Sequence, residues 1–386
     1  MSPAPSPLPV PRLVTVPGRV NLIGEHIDYH DLSVLPMAIP RAIRLKWEPS
    51  ASAQLRVSSE APYGERAVPL DRDPEPGLPG DWGNYARAAV RACRRHGPLS
   101  VGVDARIFSD LPPAAGLSSS SALLTALAIA LLQANGVEPG FESLMEILPE
   151  GEQFVGTRGG GMDHAAILGA RSGCALEVGF APLRARPVHL PEDWEWLAAH
   201  SLVTAEKSGA LREEFNARRR AGGSGIRRLG WANFREALSR ASAEELGLQA
   251  QRRLEDPERR CVVHVLEESA RVEQAVRAIE AADLAQMGRL LDASHASLRH
   301  QLRVSRPELD SLVESARLAG AAGARLTGAG FGGFALILCP PGTRARVRDR
   351  LLETYYASRE GFDPGKHLID IPPSAGALEL IARDAG

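Results

Sequence analysis

An α+β protein of two domains is what this sequence predicts, and three observations lead there. The chain has 386 residues, more than the roughly 250–300 over which a single hydrophobic core grows. Short strand-like and longer helix-like segments are mixed without the regular βαβ rhythm of a parallel sheet. The second half is dominated by helical periodicity, which places a domain boundary near residue 195, dividing the chain into 1–195 and 196–386.

Leu13–Val16, Val34–Ile39, Ile43–Trp47 and Val101–Phe108 are short, apolar or alternating, and bounded by Pro and Gly, so they predict strands. Ser119–Ala134 carries Ala and Leu at helical density after a Gly-Ser loop and predicts a buried helix. Gly156–Gly161 predicts a turn leading into a second apolar helix. Ala175–Val178 and Pro187–Leu190 predict strands. Beyond a joint at Pro191-Glu192-Asp193, Ala221–Gly225 predicts a flexible loop. Apolar positions spaced by three and four predict helices over Arg260–Ala282 and Leu284–Arg303. Pro307–Ala319 and Thr343–Tyr356 predict further helices, and Phe334–Leu338 a strand.

Composition excludes several classes. A net charge of −2 with mixed acid and base gives no electrostatic footprint for nucleic acid or an acidic membrane. The longest apolar run, Ala122–Leu132, is far short of a bilayer span. Cys93, Cys174, Cys261 and Cys339 are widely spaced, predicting free thiols in a reducing compartment. MSPAPSPLPVPR is Pro-rich without a basic or apolar leader region, so a cytoplasmic location is expected; a monomer is expected as well.

Four stretches carry chemistry. LPPAAGLSSSSALL, from Leu111, sets a tight glycine and consecutive serines at the start of an apolar helix. Backbone N–H groups, hydroxyls and the helix dipole there suit a phosphate chain, while a plain serine cap accounts for the pattern equally well. The Walker lysine is absent. LTGAGFGGFALIL, from Leu326, allows close backbone approach, either to a ligand or within a tight turn. FVGTRGGGMDHAA, from Phe154, places Asp163 as a helix N-cap or as a carboxylate aimed into a cleft. GRVNLIGEHIDYHD, from Gly18, crowds Glu25, His26, Asp28, His30 and Asp31 together. It reads as a solvated loop, as a metal site through His26 and His30, or as a cluster that reads sugar hydroxyls.

Taken together these stretches resemble the GHMP kinase superfamily and, within it, the galactokinase family. PGRVNLIGEHIDYHDLSVLPMAI is similar to the galactokinase signature, GLSSSSAL to the family's phosphate loop and LTGAGFGG to its third motif. SHASLR and PELDSLVESA also fit, in the expected order. The resemblance implies an N-terminal domain like ribosomal protein S5 domain 2, a ferredoxin-like C-terminal domain, and ATP-dependent phosphorylation of a hexose at its anomeric hydroxyl. The implied partners are therefore a small-molecule sugar and ATP, with neither nucleic acid nor membrane.

It implies Arg19 and Asp163 as the catalytic pair. Glu25, His26, Asp28, Gly161 and Phe215 would lie at the sugar. Gly116, Leu117, Ser118, Ser119, Ser120, Ser121 and Trp82 would lie at the nucleotide, with Ser121 and Glu152 holding Mg²⁺. Phosphoryl transfer needs positioning and charge stabilisation more than covalent work, and Mg²⁺ takes hard oxygen ligands, so the set is chemically coherent. Four departures bear on the acceptor. GTRGGGMD and Phe215 lean toward the N-acetylgalactosamine kinase branch. His164 stands where the family has Gln, and His300–Ser305 replaces a more acidic stretch.

Overall fold

The computed structural model describes residues 11–113, 115–156, 159–204 and 209–384. The Pro-rich lead-in at 1–10, Thr157 and Arg158 of the glycine turn, and residues 205–208 lie outside the described residues.

The first layer is a five-stranded sheet of β1 (Arg12–Ile23), β2 (Leu35–Ser50), β3 (Gln54–Ser59), β4 (Gly64–Pro69) and β5 (Gly102–Ser109), in the order β1-β2-β5-β3-β4. All pairings are antiparallel except β3 with β5. The two runs expected as separate strands, Val34–Ile39 and Ile43–Trp47, fall largely within one strand, β2. Opposite Pro17–Gly18 the register jumps from Ala42 to Ile39, leaving Pro40 and Arg41 in a bulge. Proline has no N–H for a ladder, so a bulge is where a strand tolerates it. The β3–β4 hairpin was not anticipated, although Leu55 and Val57 alternate inward with Arg56 and Ser58.

Helices α1 (Gly83–Arg94), α2 (Ser119–Ala134), α3 (Phe141–Phe154) and α4 (Met162–Gly169) accompany this sheet. Helix α2 matches its expectation residue for residue. Leu124 and Ala126–Leu132 are all buried, which is the state of a helix apolar on every side. The hairpin β6 (Cys174–Phe180) and β7 (Leu183–His189) joins β2 through a bridge between Val34 and Val178.

A second, antiparallel sheet contains β8 (Glu195–His200), β9 (Gly323–Leu326), β10 (Phe334–Cys339) and β11 (Leu368–Asp370), ordered β11-β8-β10-β9. With it go α5 (Gly209–Arg228), α6 (Phe234–Arg240), α7 (Ala243–Arg253), α8 (Glu258–Glu280), α9 (Leu284–Ser297), α10 (Pro307–Leu318), α11 (Arg344–Leu351) and α12 (Pro364–His367). The last helix, α13 (Ala377–Asp384), returns to pack on β1 and α4. The fold is thus the expected two-domain α+β arrangement. Among the described residues no helix is long and apolar enough to cross a membrane.

Two expectations need correction. Ala221–Gly225 is helical, not a flexible loop, because it lies inside α5. Its glycines serve close packing. A Cβ on Gly225 would stand 2.6 Å from Val262 Cγ2 on α8, and one on Gly222 would stand 2.8 Å from His30 Nε2. The helices expected to reach Arg303 and Tyr356 stop as α-helices at Ser297 and Leu351. Each ends in a π turn, Leu298–Leu302 and Leu352–Tyr356.

Candidate active site

Arg19, on the inner part of β1, is 6% exposed and reaches across to the first turn of α4. Its Nε donates to Asp163 Oδ1 at 2.7 Å, and Nη2 lies 2.6 Å from the same oxygen. Its Nη1 donates to Gly116 O at 2.6 Å. Burial alone would lower the Arg19 pKa, but Asp163, Glu25 and Glu152 offset this and hold it above the ordinary value. The N-cap of α4 is Gly161, at φ +101°, so Asp163 does not cap the helix and its carboxylate meets Arg19 and Ser118 instead.

The other carboxylate oxygen faces the serine loop. Ser118 Oγ donates to Asp163 Oδ2. Ser118 is the N-cap residue of α2, in the left-handed region at φ +60°, and its side chain makes no capping hydrogen bond. The capping interpretation of the serines therefore fails at this residue. The first-turn N–H groups of α2 are left to an outside acceptor, at the positive end of the helix dipole. Leu117 is buried, and its carbonyl accepts from Arg19 N–H at 3.3 Å, while Ser119 and Ser120 are partly exposed.

Ser121 is fully buried, donates to Glu152 Oε1 and lies 3.4 Å from Asp163 Oδ2. A hydroxyl and a carboxylate in contact beside a second carboxylate form a set of hard oxygens that fits Mg²⁺. His164, fully buried, places Nε2 3.6 Å from Glu152 Oε1 on the other side.

The signature loop forms the next wall. Asp28 Oδ2 accepts from Gly160 N–H at 3.0 Å. A Cβ on Gly160 would stand 2.3 Å from the Asp28 carbonyl carbon, so only glycine allows this approach. Burial, with Asp163 and Glu25 adding to it, pushes the Asp28 carboxyl up to about 6. His26, at φ +64°, donates from Nε2 to Ala329 O (3.1 Å), which leaves Nδ1 to accept from the Tyr29 hydroxyl (2.9 Å). Burial lowers its pKa to about 3, so the ring is neutral. Phe215, on α5, packs its ring 5.1 Å from His26 and 5.5 Å from Tyr29.

Glu25 is held by the second glycine loop. Its Oε1 accepts from Gly328 N–H (2.7 Å) and Thr327 Oγ1 (3.2 Å) and lies 3.1 Å from Arg325 Nη2. That loop also presses on the first: a Cβ on Gly328 would stand 3.0 Å from Gly116 O. The transition-metal interpretation of His26 and His30 loses its basis. Both nitrogens of His26 are engaged, and His30 packs on Phe234 at 4.7 Å and against Gly222 instead of facing water. Asp31 is exposed, as expected of a loop residue.

The fold thus brings Arg19, Gly116, Ser118, Ser121, Glu152 and Asp163 together, with Asp28 beside them and Glu25 and His26 adjoining. Gly161 serves as a helix cap, and its neighbour Gly160 makes the contact to Asp28. Trp82 Nε1 donates to Tyr63 O at 2.8 Å, and Arg66 covers its ring at 5.2 Å. Tyr29, Thr327, Arg325 and Glu268 were not anticipated. Tyr29 and Thr327 lie inside motifs already singled out, whereas nothing local marks Arg325 or Glu268.

Comparison with known proteins places this geometry in context. Residues 7–47 match the galactokinase galactose-binding signature, 84–170 the GHMP kinases N terminal domain and 275–357 the GHMP kinases C terminal domain. The galactokinase of Roseiflexus sp. (strain RS-1) is 36% identical over 348 residues, covering 89% of this chain and 87% of that one. The galactokinase of Streptomyces coelicolor is 34% identical over 371 residues, 95% of this chain and 93% of the other. The crystal structure of Lactococcus lactis galactokinase complexed with galactose superposes with a TM-score of 0.84 at 26% identity, covering 95% of this chain and 94% of that one.

Proposed function

This chain belongs to the galactokinase family of GHMP kinases, and from that membership we propose that it transfers the γ-phosphoryl group of ATP to the anomeric hydroxyl of galactose or a closely related sugar. The observation that carries the proposal is the contact of Arg19, Asp163 and Ser118, which joins the sugar signature, the serine loop and the glycine turn at one point.

In this reading the sugar lies against Asp28, His26 and Glu25, with its anomeric hydroxyl directed at Asp163. The carboxylate takes the hydroxyl proton as the sugar oxygen bonds to the γ-phosphorus. The bond from that phosphorus to the β–γ bridging oxygen breaks, and ADP leaves. Arg19 grips Asp163 through two nitrogens and so fixes its orientation; its charge also opposes the negative charge on the transferring group. The Gly116–Ser121 loop and the N-terminus of α2 hold the phosphates. Ser121 and Glu152 would hold Mg²⁺, which when bound neutralises phosphate charge.

Phe215 favours including N-acetylgalactosamine as an acceptor, because its ring, packed on His26 and Tyr29, has no hydroxyl to contribute. ADP release measured across galactose, N-acetylgalactosamine and other free sugars, with the product phosphate assigned by NMR, tests the proposal. Sugar-stimulated ADP release with phosphate on C1 is expected. Well-folded protein that binds sugar but releases no ADP would instead be a sensor of the same fold.

A further inference from the structure

The segment that carries Glu25, His26 and Asp28 is gripped along its backbone by the second half of the chain. Arg325, fully buried on β9, donates from Nη1 to Leu22 O at 2.9 Å. Thr327 Oγ1 accepts from Asn21 N–H at 3.0 Å. His264 on α8 donates from Nε2 to Glu25 O at 3.0 Å, with Ser297 Oγ on its other nitrogen at 2.8 Å.

The centre of this grip is Glu268, also on α8 and fully buried. Its Oε1 accepts from the N–H groups of Gly24 (2.9 Å) and Glu25 (3.3 Å) and from Ser294 Oγ (2.8 Å), and Arg325 Nη1 lies 3.9 Å away. Its Oε2 accepts from Arg271 Nε at 2.7 Å. Burial would favour the neutral acid, but Arg271 and Arg325 outweigh it and hold the Glu268 pKa down to about 2. A buried, ionised carboxylate thus receives two consecutive backbone N–H donors, the strong, charge-assisted kind of hydrogen bond. Those donors stand where strand β1 has ended at Ile23. Among the next three residues, Gly24 at φ +105° and His26 at φ +64° take left-handed backbone. Such a conformation persists only where its surroundings over-determine it.

We propose that Glu268 is a positioning residue for the sugar acceptor: it touches no substrate, but fixes the backbone at Gly24–Glu25 and thereby aims Glu25, His26 and Asp28. The proposal rests on the kinase assignment above for its catalytic consequence, and on the hydrogen bonds alone for its structural one. Two readouts therefore separate them.

The first is hydrogen exchange of Glu268→Gln over residues 20–30, compared with α2. Faster exchange confined to the signature segment is expected; unchanged protection there overturns the proposal, whatever the protein's activity. The second is steady-state kinetics. Misplacing reacting groups by about an ångström costs on the order of 100-fold, so a rise of roughly 10- to 100-fold in sugar KM is expected. ATP KM should stay close to wild type, because the serine loop does not contact Glu268. Parallel rises in both KM values would mark general loosening and overturn the positioning role. Absence of sugar-dependent ADP release in the unmodified protein would count against the kinase assignment only. Because E268Q leaves Arg271 facing an amide, with only Glu267 still pairing it at 3.3 Å, the double variant E268Q/R271M removes that largely buried charge and keeps the test open if the single variant folds poorly.

Discussion

Replacing Asp163 by alanine is the perturbation from which most is learned. The change removes the carboxylate that Arg19 holds at 2.7 and 2.6 Å, leaving a guanidinium whose side chain is 6% exposed. Breaking a buried ion pair costs about 3–5 kcal/mol. Three features reduce that figure here. The Asp163 side chain is 22% exposed, so solvent already screens the pair. Gly116 O still accepts from Arg19 Nη1, and Glu25 and Glu152 still favour its charge. A loss of about 2 kcal/mol is therefore expected, seen as a fall in Tm of a few degrees. The effect on turnover is larger, because removing a general base lowers the rate by roughly 10²–10⁴-fold. The assay is ADP release at saturating sugar, with ATP KM and a thermal melt on the same sample. Asp163→Asn keeps an acceptor for Arg19, so its Tm should recover while kcat stays low. A folded alanine variant within about tenfold of wild-type kcat would refute the role given to Asp163.

Other predictions follow from particular contacts. Ser118→Ala should cost about 1–2 kcal/mol through the lost hydrogen bond to Asp163, not through a lost cap, and should cost nothing further in an Asp163→Ala background; kcat should fall several-fold. Asp28 titrates near 6 when folded, against an ordinary 3.8, so the native state binds the extra proton and its stability falls as pH rises from about 4 to 6. Two pKa units correspond to on the order of 3 kcal/mol, so Asp28→Asn should melt higher than wild type at pH 7.5 and level with it near pH 4, while losing sugar affinity. A Cβ on Gly223 meets the flexible Arg227 Nη1 at 3.4 Å and His30 Cε1 at an ordinary 4.0 Å, whereas one on Gly225 meets Val262 at 2.6 Å. Gly223→Ala should thus stabilise α5 by about 1 kcal/mol, and Gly225→Ala should destabilise the protein by about 1–3 kcal/mol, both read from denaturant melts.

Much of this protein was determined by sequence alone. The bounds of α2, the strands β1, β2 and β5 of the first sheet and the signature loops follow from periodicity and turn chemistry, which act over a few residues and are written where they act. Arg19, Asp163, Ser118 and Ser121 stand in compact motifs, whereas Glu152 lies outside them and comes only from the family resemblance.

What only the tertiary structure decided depends on contacts between distant residues. The glycines at 222 and 225 have the composition of a loop, yet they sit in a helix because His30 and Val262 lie where a Cβ would be. Glu268 looks like one more charged residue on an amphipathic helix. It becomes the anchor of the signature segment only because Gly24 and Glu25, more than 240 positions earlier, direct their N–H groups at it. Ser118, in left-handed backbone, and Ser121 both turn a hydroxyl to Asp163, a meeting of segments more than 40 positions apart. Local chemistry names the groups, but burial against remote segments sets the direction each one faces.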